Sequence, residues 1–162
     1  MSNKYDNRGW SVNRKVIFLD LDGVLCDFDR QFKTHAISKD ITLSSKNVSN
    51  LPAEWWESMP WTPWGKELYQ YAYTRCYTCI LTSHASEESA IGKIRWIKRE
   101  IGNSDYMLAS PKWAAGSPNS LLIDDTHKKI SRFVMAGGRG HLFISSDINR
   151  CYECIDTFIK YP

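Results

Sequence analysis

The chain has 162 residues, 43% hydrophobic and 24% charged, which is the length and balance of one globular domain with room for a small insertion and excludes disordered, collagen-like and coiled-coil classes. No apolar run exceeds four residues, so neither a membrane span nor a signal-peptide core at the polar start Met1–Trp10 is expected, and the chain reads as a soluble cytoplasmic protein without a membrane partner. The net charge of +3 suits a small anionic ligand and is too weak and scattered for duplex nucleic acid.

The first apolar run, Lys15–Asp20 (K-V-I-F-L-D), ends in an acid, as a fully buried parallel strand would. Residues 27–60 then break any regular pattern: polar, with Ser44-Ser45 and Ser49-Asn50, and sharply aromatic at Trp55-Trp56. This is too long for a simple strand-to-helix loop and is read as a small, mostly helical cap over the mouth of the sheet.

Thr62-Pro63 predicts an N-cap followed by proline at the first helical position, with Leu68, Tyr71 and Ala72 on one face. Tyr77–Thr82 (Y-T-C-I-L-T) is a second buried strand, and Ser86-Glu87-Glu88 opens a helix with the stripe Ile91, Ile94, Ile97 and Ile101, closed by Gly102. Short strands are expected at Asp105–Ala109, Ser120–Asp124 and Gly140–Ser145, with helices around Ile130-Phe133-Val134 and from Ile148 to Ile159. Alternating strands and helices imply a parallel sheet with right-handed crossovers, a doubly wound α/β fold over residues 1–162 with the cap at 27–60. In such folds ligands bind beyond the carboxyl ends of the strands, which directs attention to Asp20 and Asp22, Thr82 and Ser83, and Asp124 and Asp125.

Five cysteines include two C-x-x-C pairs, Cys76/Cys79 and Cys151/Cys154. Such pairs can build a tetrahedral zinc site or serve as small buried hydrophobes. The long separation of the pairs, with one in a strand and the other on a terminal helix, favours the second. Ala136–Gly140 has the composition of a phosphate loop but lacks its spacing and reads as a turn.

Asp20-Leu21-Asp22-Gly23 sets two carboxylates two residues apart after a strand, and Asp124-Asp125 ends another. Acids so crowded need a cation or a shared proton. Hard oxygen ligands at that density suit Mg²⁺.

These motifs resemble the haloacid dehalogenase (HAD) superfamily of phosphohydrolases. Ile17–Gly23 matches its first motif, Ile80–Ser83 the second, Lys112 in Ser110-Pro111-Lys112 the third and Leu122–Asp125 the fourth. Within it the chain is most similar to the 5′(3′)-deoxyribonucleotidases, through D-x-D-G-V-L, the cap end Glu54-Trp55-Trp56-Glu57-Ser58, the T-S pair and L-L-I-D-D. His84 stands where those enzymes tend to have proline. The resemblance implies a HAD-like sheet and hydrolysis of nucleoside monophosphates through an aspartyl-phosphate. Asp20 would be the nucleophile and Asp22 the acid and base, with Thr82 and Ser83 on the phosphate and Lys112 as its counter-charge. Mg²⁺ would sit on Asp20 and Asp125, with the Asp22 carbonyl and Asp124 nearby. Phe28, Trp55 and Trp56 are candidates for stacking on a base, with packing between cap and core as the alternative, and His84 for reaching the substrate. Other readings are a polynucleotide 3′-phosphatase, a sugar-phosphate phosphatase and a non-catalytic nucleotide-binding module, with a homodimer a possible assembly.

Overall fold

A computed structural model describes residues 14–42 and 44–161; the polar start Met1–Trp10 lies outside the described residues. Five strands, β1 (Val16–Leu19), β2 (Tyr77–Thr82), β3 (Asp105–Leu108), β4 (Ser120–Asp124) and β5 (Arg139–Leu142), form one sheet. Its order is β3-β2-β1-β4-β5, and every pairing is parallel. The expected doubly wound α/β architecture is therefore present, with β1 at the centre. Its burial explains the continuous V-I-F-L run, since a central parallel strand is covered on both faces.

Alternation along the strands divides the core in two. Ile17, Leu19, Ile80, Leu121 and Ile123 pack on one face with Trp56, Leu68, Trp96 and Phe158. Phe18, Cys79, Leu81 and Leu122 pack on the other against Ile130 and Phe133, which lie on the helix α6 (His127–Met135). Cys79 and Cys151 are both buried, as small hydrophobes would be. No described helix is long and apolar enough to cross a membrane.

The segment after β1 holds three short helices, α1 (Phe28–Lys39), α2 (Ser45–Ser49) and α3 (Ala53–Glu57). Asp27 caps α1 by accepting from the Arg30 N–H, and Ser44 caps α2 through the Asn47 N–H. Helix α3 packs closely on α5 (Glu87–Glu100): a Cβ at Gly92 would lie 2.3 Å from the Ala53 carbonyl and 2.5 Å from the Trp56 Cβ. The Trp96 indole donates to the Met59 carbonyl at 2.7 Å, which ties the end of this segment to the same helix.

Two local expectations are corrected. Helix α4 (Gly65–Arg75) begins after Trp64, not at Pro63. The Thr62 hydroxyl instead donates to the Val24 carbonyl at 2.9 Å, so it fastens the loop after β1 rather than a helix end. Helix α5 does open at Ser86, in a reciprocal capping box with Ser89. Its buried residues, however, are Ser89, Gly92, Lys93, Trp96 and Ile97, so the inward stripe is rotated from the isoleucines and contains a lysine. Gly102, at φ +80°, follows α5 in the left-handed region that favours glycine, and the terminal helix α7 covers Ile148–Lys160.

Candidate active site

The sheet register brings the acids together. Leu19 of β1 is aligned with Ile123 of β4, and the Asp20 N–H donates to the Ile123 carbonyl at 3.0 Å. The next residues, Asp20 and Asp124, therefore leave the sheet side by side at its carboxyl edge, where doubly wound folds bind ligands. Thr82 ends β2, the neighbour of β1 on the other side. Asp20, Thr82 and Asp124 are all buried. Asp125 follows at the open side, and carboxylate oxygens of Asp20, Asp124 and Asp125 lie within 4.8 Å of one another.

Gly23 makes this approach possible. Its φ is +78°, and a Cβ built there would lie 2.1 Å from Asp125 Oδ2. Any other residue would be strained in that backbone conformation and would strike an acid of the cluster.

Three lysines face the acids. Lys112, on a 3₁₀ turn (Lys112–Ala115), reaches Asp20 Oδ1 and Asp124 Oδ2, each at 2.6 Å, and is 4% exposed. Lys129, in the first turn of α6, lies 3.4 Å from Asp20 Oδ2 and 3.7 Å from Asp124 Oδ1. Lys93 of α5 lies 2.6 Å from Asp22 Oδ2, donates to the Ser83 carbonyl at 2.7 Å and touches Thr82 Oγ1 at 3.3 Å. Burial of charge on this scale is tolerated because Asp20, Asp22 and Asp124 each meet a lysine at hydrogen-bonding range.

The electrostatics follow from this packing. Burial would raise the Asp20 carboxyl, but Lys112 and Lys129 outweigh it and hold it down at about 2. Asp124 is raised, by burial and by the Asp20 charge beside it. Asp125 is pushed up to about 6, by loss of water on its cluster-facing side and by repulsion from Asp20 and Asp124. For Lys129, burial pulls the ammonium down while Asp20, Asp124 and Asp125 more than compensate, so its pKa is raised. The trio offers carboxylate oxygen alone, in a cluster a single ion can span, and two of its acids gain from an added positive charge. This donor set fits Mg²⁺.

The other expected site residues are placed as follows. Asp22 leaves the trio and turns to Lys93; its Oδ1 is buried with no hydrogen-bond partner among the described residues. The Ser83 hydroxyl donates to the Ala109 carbonyl at 3.2 Å. His84 is exposed. Phe28 stacks on Phe32 and on Trp56, with ring centroids 5.8 and 5.6 Å apart. Trp55 meets Phe28, Phe32, His35 and Trp56 edge-on and stays partly exposed. Trp56 is 1% exposed and lies under Lys93 Nζ, 4.9 Å from the ring centre. The aromatic cluster is thus largely packed on itself, with Trp55 at its outer side.

Among solved structures the chain is similar to a hydrolase from Streptococcus pneumoniae TIGR4, at 16% identity and TM-score 0.56, covering 89% of this chain and 99% of that one. It is also similar to the HAD-hydrolase YfnB of Bacillus subtilis, solved bound to magnesium, at 8% identity and TM-score 0.61, with the same coverage. A third is a HAD-superfamily hydrolase from Ehrlichia chaffeensis, at 12% identity and TM-score 0.56, covering 93% and 100%. The fold is that of the HAD hydrolases. No protein-family model matches the sequence, and no curated protein matches it.

Two of the three lysines escape the motif reading. Lys93 falls on the inward face of a helix, at i+4 from Ser89 and three and four residues before Trp96 and Ile97, a pattern that the isoleucine stripe obscures. Lys129 sits in a first turn without an acid, after Thr126. A cation there opposes the helix dipole, and that local conflict was the available signal.

Proposed function

We infer that the chain is a Mg²⁺-dependent phosphomonoester hydrolase acting through an aspartyl-phosphate, with nucleoside monophosphates as substrates in the manner of a 5′(3′)-(deoxy)ribonucleotidase. The observation that carries the chemistry is the convergence of Asp20, Asp124 and Asp125 at the carboxyl edge of the sheet, with Lys112 bridging the first two. The magnesium bound to the structurally similar YfnB protein supports the choice of ion.

Asp20 is held ionised, as a carboxylate nucleophile must be. Its oxygen bonds to phosphorus while the ester oxygen leaves with a proton from Asp22. Water then attacks the acyl phosphate, gives its proton to Asp22, and releases phosphate and the Asp20 carboxylate. Asp22 Oδ1 carries no protein partner among the described residues, which suits an oxygen that exchanges a proton with a departing alcohol. Lys112 is a fixed charge against Asp20 and the transferring phosphoryl group. A divalent ion on the trio would supply the charge neutralisation that lets an anionic nucleophile meet an anionic ester.

The substrate class rests on the D-x-D-G-V-L opening and the W-W-E-S cap end, and on Trp55, whose partly exposed ring lies beside Phe28. A stacked base is worth about 1–3 kcal/mol. The deciding experiment compares phosphate release from dUMP, the other nucleoside and deoxynucleoside monophosphates, a 3′-phosphorylated oligonucleotide and a sugar phosphate, each with Mg²⁺. Mononucleotides should turn over fastest, and Asp20→Asn should abolish release. Faster turnover of the oligonucleotide or the sugar phosphate would refute the nucleotidase assignment. More than a few per cent residual activity in the Asn variant would refute the nucleophile.

A further inference from the structure

The two lysines on Asp20 and Asp124 divide the same pair of carboxylates between them. Lys112 takes Asp20 Oδ1 and Asp124 Oδ2, and Lys129 faces the opposite oxygens, Asp20 Oδ2 and Asp124 Oδ1. Their quality differs sharply. Lys112 sits at 2.6 Å from both acids with its side chain 2% exposed, whereas Lys129 sits at 3.4 and 3.7 Å with its side chain 36% exposed. Asp20 Oδ1 is further committed, since it also accepts the Leu21 N–H at 2.7 Å. Lys112 is therefore a fixed internal counter-charge, and Lys129 a loosely held one on the solvent side. Asp125, the third acid of the trio, opens on that side too.

We propose that Lys129 is a tethered cation that holds the Asp20 and Asp124 carboxylates together in the metal-free chain, gives way when a divalent ion enters, and so sets the affinity of the site for that ion. Three lines support it. The lysine is placed in a helix first turn, against the dipole, where nothing but the acids favours it. Its contacts go to two of the three carboxylates that gather. Its long, flexible stem has room to withdraw without opening the core, because the side chain is already partly in solvent. Four carboxylates (Asp20, Asp22, Asp124, Asp125) face three ammonium groups here, so a divalent ion must compete with charge already present, and the most weakly held ammonium is the one displaced.

This inference rests on the metal reading of the site, and the experiment separates the two. Mg²⁺ binding is measured by calorimetry on wild type, Lys129→Met and Lys129→Arg without substrate, with thermal unfolding of each in chelator and in saturating Mg²⁺. Removing the ammonium that the ion must displace from Asp20 and Asp124 should tighten binding by about tenfold or more, while the Arg variant, which keeps the charge, should stay near wild type. The Met variant should also unfold at a lower temperature in chelator, because the acids lose a partner, and show a larger rise on adding Mg²⁺. Equal or weaker binding in Lys129→Met, with wild type binding normally, would overturn the inference alone. Absence of Mg²⁺ binding by wild type would overturn the metal reading and this inference together. If the Met variant failed to fold, Arg binding several-fold tighter or weaker than wild type would count against a role set by charge, and unchanged affinity would support it.

Discussion

Lys93 Nζ lies 2.6 Å from Asp22 Oδ2 and is 2% exposed, so the acid/base candidate is positioned from a helix rather than by its own loop. The same ammonium touches Thr82 Oγ1 and the Ser83 carbonyl, joining three elements around one charge. Lys93→Met should lower kcat/KM by about a hundredfold, the range expected when general acid catalysis is lost. The loss should depend on the leaving group. An alkyl phosphate, whose alcohol must be protonated, should suffer far more than p-nitrophenyl phosphate, whose phenolate leaves unaided. Because kcat/KM covers only the steps through departure of the alcohol, equal losses of kcat/KM on both would show that Lys93 does not act on Asp22 as the acid.

Gly23 gives a second test, because its Cβ position is claimed by Asp125. At φ +78° and 2.1 Å from Asp125 Oδ2, Gly23→Ala combines backbone strain of about 1–2 kcal/mol with a displaced acid. The variant should fold, with a lowered melting temperature, and lose Mg²⁺ affinity by about tenfold or more. Unchanged Mg²⁺ affinity would show that Asp125 is no ligand.

The acids were legible in the sequence because a buried parallel strand announces itself as an apolar run, and residues after such runs must lie at one edge. The register of Leu19 with Ile123 follows from the same logic. The lysines were less legible. Lys112 was found through its S-P-K context, whereas Lys93 was hidden in a helix whose isoleucines gave a plausible but rotated apolar face. Thr62-Pro63 looked like a helix start because threonine and proline are good ones, yet tertiary hydrogen bonds to Val24 and Leu25 engaged the hydroxyl. Local propensity is a weak prior when a buried carbonyl needs a donor.

The adjacent tryptophans should separate by phenotype. Trp56 is 1% exposed and packed between Phe28, Trp55 and α5, so Trp56→Ala should cost about 3–5 kcal/mol of stability in denaturant unfolding. Trp55 is partly exposed at the rim of the cluster. Trp55→Ala should destabilise less and raise KM for nucleoside monophosphates by about tenfold, equivalent to one lost stacking contact. An unchanged KM would remove Trp55 from the substrate site.

The raised pKa of Asp125 predicts an unusual pH dependence. Its carboxyl titrates at about 6 in the folded chain, against about 3.9 for a free aspartate. Between those values the folded state binds more protons than the unfolded state, so metal-free stability falls as pH rises from about 4 to about 6. Asp20 works the other way but in a lower range, since its pKa is held at about 2 and its contribution is lost only as pH falls below the ordinary carboxylate value. His141 opposes Asp125, because burial lowers its pKa, so its protonation as pH falls favours unfolding. Comparison with Asp125→Asn isolates the contribution: in chelator the wild-type melting temperature, relative to the Asn variant, should fall between about pH 4 and 6 and level off above it. Saturating Mg²⁺ should reverse the trend for wild type only, since ion binding requires the ionised carboxylate and strengthens as pH rises through about 6. A wild-type minus Asn difference that stays constant across this range would refute the raised pKa of Asp125.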